Sequence, residues 1–236
     1  MKLSRIKQFF IVLAAFLVLG IPFKVMVLIQ GFTEVRPVNG IPPIAGLICG
    51  PVGAIACGFG NLIADLFGTF NATSVLGFFG NMVAAYLPYR LWYIYTDEEP
   101  NFHKNRNILQ YIFICFSAAI TVAWILGFGL YYGFGQWMEN IYTYILFNNL
   151  GFSIGLGMPL FIMLSSEDVH VCCVPGPKRY LLMKNQKLRF VLPIVYTAIM
   201  AVIFVGVCLF HVSPEQQLWL HILSALGALG LVMILV

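Results

Sequence analysis

Nine polar side chains stand in or beside strongly apolar stretches: Lys24, Glu34, Arg36, Asn39, Asn61, Asp65, Asn81, Asn148 and Asn149. The two cations suit a carboxylate or phosphate, the two carboxylates suit an amine, and each asparagine amide offers both a donor and an acceptor. Ionisable groups at membrane depth are costly and face either a cavity or a partner. The set therefore lines a pocket for a small polar or zwitterionic solute, or else Asp65 pairs with Lys24 or Arg36 while the asparagines cross-link helices. The sequence leaves the charge of such a solute open.

Other chemistry has little support. His170, Cys172 and Cys173 in SSEDVHVCCVPGPKR lack the CxxC spacing and second ligand cluster of a metal site, so no metal and no cofactor is expected. The six cysteines read as packing residues or reduced loop thiols. His211 and His221 flank the loop before the last apolar run and form no HExxH motif. There is no Walker lysine motif and no GxSxG elbow, and an enzyme is not expected.

The elements that must position these residues follow from composition. Hydrophobic residues make up 61% of the 236 and charged ones 9%, with a mean hydropathy of +0.91. Those values describe an integral membrane protein, and continuous apolar runs predict helices rather than barrel strands. The expected fold is an all-α polytopic bundle. The basic head MKLSRIK precedes more than twenty apolar residues with no small-residue cleavage site, which predicts a retained first helix. A net charge of +4 spread over short loops gives no reason to expect nucleic acid.

Apolar runs predict spans near 8–30, 40–49, 52–70, 75–95, 108–133, 140–164, 190–210 and 217–236. The second is a half-span, broken from the third at Gly50-Pro51, because one straight helix over 40–70 would exceed about 40 Å against a hydrocarbon core of about 30 Å. Charge supports the division. With an inner N-terminus, Lys2, Arg5, Lys7, Arg90, Lys104, Arg106, Lys178, Arg179, Lys184, Lys187 and Arg189 fall inside and only Lys24 and Arg36 outside. The chain is then N-in and C-in, and the polar residues from five pieces of chain meet in the outer third of the bilayer. Aromatic residues of YYGFGQWMENIYTYILF form a belt near that level.

The pieces RPVNGIPPIAGLICGPVGAI, GNLIADLFG and LGFFGNMVAAYLPYRLWY resemble the substrate-binding (S) components of energy-coupling factor (ECF) transporters, over roughly residues 5–165. In that family a first helix leads to an outer loop, a short second helix, a Gly-Pro turn and a third helix. The resemblance implies a solute under the 31–40 loop, with Arg36, Asn39, Asn81 and Asn148 as the positions carried over. It also implies vitamin-like solutes, a transmembrane scaffold and ATPase subunits as partners, and a bacterial cell membrane. The family has six helices, whereas this chain adds two, and Ala14, Ala15 and Gly20 lack the alanine-x-x-x-alanine spacing of its first helix. The expected organisation is an S-component-like core at 1–165, a basic cytoplasmic loop at 166–189 and two further transmembrane helices at 190–236.

Two functions follow as expectations. One is solute uptake through an outward-facing pocket. The other is a membrane-embedded sensing module, suggested by the eight spans and a last helix that runs to the final residue. An assembly factor without a ligand corresponds to the reading in which the polar residues only pair.

Overall fold

The computed structural model describes residues 4–25, 27–29, 33–68, 70–136, 138, 140–166, 169, 171, 173–177, 185–210, 212, 215–216 and 218–235, with only the backbone at 25, 27–29, 33 and 34. These residues form helices and one small two-stranded ribbon. The first helix, α1 (Arg5–Gly20), is capped by the Ser4 hydroxyl, which accepts from the Lys7 amide. It ends ten residues before the predicted span does. Pro22 cannot donate the next helical hydrogen bond, and the chain passes into a 3-10 turn, Pro22–Val25. Two strands follow, β1 (Val27–Ile29) and β2 (Thr33–Glu34), paired antiparallel with an irregular register.

A second 3-10 turn, Pro37–Gly40, delivers the chain into α2 (Ile41–Cys49), whose nine residues rise about 14 Å. That is the expected half-span. All of α2 except Ile48 is buried, which makes it a central strut rather than a lipid-facing helix. At Gly50 the backbone takes φ 57° and ψ −134°, a conformation open to glycine and strained for other residues. Pro51 then occupies the first turn of α3 (Pro51–Asp65), where its missing N–H costs nothing, and the chain doubles back.

The remaining helices are α4 (Ser74–Tyr95), α5 (Asn105–Phe128), α6 (Ile141–Phe152), α7 (Met158–Leu164), α8 (Gln186–Leu209) and α9 (Leu218–Ile234). A π-helical turn, Gly129–Gly133, extends α5, and another, Ser153–Gly157, joins α6 to α7 into one continuous rod. Each of the eight predicted segments thus overlaps a helical stretch. Among the described residues, four stretches are long and apolar enough to cross a membrane: Arg5–Lys24, Asn105–Gly133, Ile141–Leu164 and Gln186–Leu209.

Packing centres on two cores. One, around Phe16, Val38, Ile41, Ala56 and Ala85, holds α1 to α4 together. The other, around Leu87, Trp92, Tyr111, Trp124 and Phe161, includes Tyr196, Phe204 and Leu231, so α8 and α9 lie against the same interior. α5 is its axis, touching α4, α6, α8 and α9. The outside is apolar as well: Val18 is 70% exposed and Val202 73%, a surface suited to hydrocarbon rather than water.

Candidate functional site

The predicted polar residues converge where α1 and α3 end and the Arg36 segment crosses them. Lys24, on the turn after α1, donates from Nζ to Asp65 Oδ1 at 2.5 Å. Their side chains are 6% and 10% exposed, so this is a buried ion pair. Asn61 lies one helical turn before Asp65 on α3 and donates from Nδ2 to Asp65 Oδ2 at 3.1 Å. Both carboxylate oxygens are therefore engaged.

Asn61 Oδ1 accepts twice. One donor is Arg36 Nη2, and the other is Asn81 Nδ2 from α4 at 3.0 Å. The close contact of α3 with α4 depends on Gly77, because a Cβ there would run into Asn61 Nδ2. Asn81 Nδ2 also reaches the Gly77 carbonyl at 2.9 Å. Two acceptors on the nitrogen side fix the orientation of the Asn81 amide, turning Oδ1 to the opposite side. Asn81 is 6% exposed, and its Oδ1 is a buried acceptor with no hydrogen-bond partner among the described residues.

Asn148 joins from α6, where its Oδ1 accepts the Arg36 backbone amide at 3.3 Å. Lys24, Arg36, Asn61, Asp65, Asn81 and Asn148 thus form one chain of contacts drawn from the segments predicted to supply it. Asn39 takes part through its backbone: its carbonyl accepts from Ser153 Oγ at 3.3 Å, tying the Pro37–Gly40 turn to the π-helical turn after α6. Asn149 stays outside, donating to the Ile145 carbonyl of its own helix at 2.8 Å. The Glu34 side chain lies outside the described residues, as do His170, Cys172, His211 and Trp137.

The network is tight. Phe16, Gly20, Phe23, Lys24, Val35, Arg36, Val38 and Ala64 line a cavity of about 10 Å³ beside it, room for about one water. The site as seen is closed, with its polar groups spent largely on one another.

Sequence reasoning missed a second set of buried polar contacts, between α5, α6 and the last two helices. Tyr142 Oη lies 2.8 Å from His221 Nδ1, and Thr121 Oγ1 lies 3.1 Å from Tyr196 Oη. Thr197 Oγ1 lies 2.8 Å from Ser117 Oγ and 2.7 Å from the Pro193 carbonyl. His221 is fully buried within α9, and Tyr142 is 2% exposed, inside the bundle rather than in an interfacial belt. Ser117 and Thr121 sit four residues apart, on one face of α5, which was the available signal.

An open cleft of about 630 Å³ lies at the end of the bundle that carries Gly50, lined by Tyr93, Asp97, Glu99, Cys173, Pro175, Gly176 and Pro177. Its loop is pinned by the Tyr93 hydroxyl on the Val174 carbonyl at 2.8 Å and by the Cys173 amide on Glu99 Oε1 at 2.6 Å. Nearby, Lys104 holds both oxygens of Glu98. That hydrogen bond and charge keep the Glu98 carboxyl below its ordinary value, the Arg106 charge adding to the effect and partial desolvation opposing it.

No group of three or more metal-ligating side chains occurs among the described residues. Comparison with protein-family models, curated proteins and solved structures gave no match.

Proposed function

We propose that the protein is a multi-pass protein of the cell membrane, N-in and C-in, that captures a small polar, vitamin-like solute at the Arg36–Asn61–Asp65 cluster on its outer side. The observation that carries this reading is the state of two groups inside the network. The Arg36 guanidinium has a neutral amide as its described partner, and the Asn81 acceptor is buried without one. Cross-linking alone would be served by satisfied groups, because an unmet buried acceptor costs about 1–3 kcal/mol.

Entry requires movement, since a solute needs far more room than about 10 Å³. The element suited to move is the segment from β1 to the Pro37–Gly40 turn. Among the described residues, Arg36 of this segment reaches Asn61 and Asn148, and the Asn39 carbonyl reaches Ser153. Uptake would then draw on an ECF-type scaffold with ATPases, in keeping with the resemblance of residues 5–165 to S components.

Sensing is the second reading, favoured by one specific feature. α6 carries Asn148 at the cluster and Tyr142 against His221 of α9. A ligand that shifts Arg36 relative to Asn148 therefore acts on the helix to which the C-terminal pair is attached.

The test is mass spectrometry of small molecules that copurify with the wild-type protein and with Arg36→Ala and Asn81→Ala. The expected result is a solute present with wild type and depleted with both variants. No solute with any of the three, together with unchanged thermal stability across a metabolite screen, would remove the proposal.

A further inference from the structure

Asp65, the one carboxylate of the described network, already has both oxygens engaged: Oδ1 accepts from Lys24 and Oδ2 from Asn61. On the cationic side the balance is the reverse. Lys24 and Arg36 bring two positive charges against that single described carboxylate, and Lys24 is the one already paired with it. Arg36, half-buried, directs Nη2 to the Asn61 carbonyl oxygen, a neutral acceptor that engages one of five guanidinium N–H groups. A half-buried guanidinium whose described partner is a neutral amide keeps N–H donors for an anion.

The second requirement comes from Asn81. Its Nδ2 shares the Asn61 Oδ1 acceptor with Arg36, so the two residues meet at one atom. Its own Oδ1 is an acceptor in need of a donor. Resting on the solute-binding reading above, we infer that the solute is an oxyanion, a carboxylate or phosphate met by the Arg36 fork, carrying an N–H or O–H donor that reaches Asn81 Oδ1. Arginine suits this role over lysine because its planar fork takes two oxygens of a carboxylate or phosphate at once.

Thermal unfolding of the full-length protein in detergent, with probes matched in shape and different in charge, tests the assignment. The probes are benzoate, phenyl phosphate, benzamide and benzylamine, compared with sodium chloride at equal ionic strength. Benzoate or phenyl phosphate should raise the Tm, and which of them does so separates a carboxylate from a phosphate solute. Benzylamine should have no effect. Arg36→Gln should abolish the rise, and Arg36→Lys, which keeps the charge and loses the fork, should weaken binding by about tenfold. A larger rise with benzylamine than with either anion overturns the inference. A neutral or cationic solute that copurifies with wild type and is lost in Arg36→Gln overturns it too, while leaving solute binding intact. No probe response and no copurifying solute overturn both.

Discussion

Two regions of this protein bury polar side chains between helices, and they do so with opposite chemistry. Where α1, α3, α4 and the Arg36 segment meet, the groups are charged: a cation pairs with Asp65, a second cation rests on an amide, and one acceptor stays unmet. Where α8 meets α5, the groups are hydroxyls, Ser117, Thr121, Tyr196 and Thr197, and each lies within hydrogen-bond distance of another. Neutral hydroxyl contacts between helices contribute up to about 1–2 kcal/mol each and need no ligand to complete them. The hydroxyl seam is built to hold α8 in place. The charged cluster pairs two of its charges firmly and leaves Arg36 and Asn81 available, which fits recognition better than adhesion.

The contrast predicts unequal responses to mutation. Asp65→Ala breaks the buried Lys24–Asp65 ion pair and should cost about 3–5 kcal/mol of stability in a denaturation assay, while Lys24→Met combined with Asp65→Leu should recover most of that loss. Gly77→Ala pushes a methyl group into the Asn61 amide. It should cost about 1–3 kcal/mol and, by displacing Asn61, weaken solute retention out of proportion to that loss. Thr197→Val in the seam should cost about 0.6–2 kcal/mol and leave solute retention unchanged. If Thr197→Val reduced retention as much as Gly77→Ala, the division between the two regions would be lost.

The smallest effect lies outside both. Lys104 holds the Glu98 carboxyl below its ordinary value, so the folded pKa is below the unfolded one. The pair contributes stability above the unfolded carboxylate pKa, and the contribution is lost as pH falls through the lowered folded value. Both side chains are well exposed, and the contribution is small. A Lys104→Gln variant should have a slightly lower Tm than wild type above the carboxylate range and meet it in acid, so that its acid-side decline is slightly flatter.

The charged region was largely legible in the sequence. Arg36, Asn61 and Asp65 interrupt apolar runs, and the Gly50-Pro51 break told which of them return to the same level. Asn61 and Asp65 stand one turn apart on α3, so helical periodicity alone placed them on one face. What the sequence left open was how the groups pair, because Lys24 and Arg36 were equal candidates for Asp65. The choice depends on where α1 stops, and that was misjudged by ten residues because hydropathy carries through Pro22 into the ribbon. The hydroxyl seam was nearly invisible. Serine, threonine and tyrosine barely disturb a hydropathy profile, and nothing in the sequence marked His221 as buried, because its burial depends on the docking of α9 against α5 and Tyr142 of α6.

Equilibrium dialysis of the purified protein against a small-molecule extract, with mass spectrometry of what is retained, tests solute capture most directly. The comparison is wild type, Arg36→Ala and Thr197→Val. The account predicts one solute enriched on wild type and on Thr197→Val and absent from Arg36→Ala. Equal retention on all three, or retention on none, would contradict it.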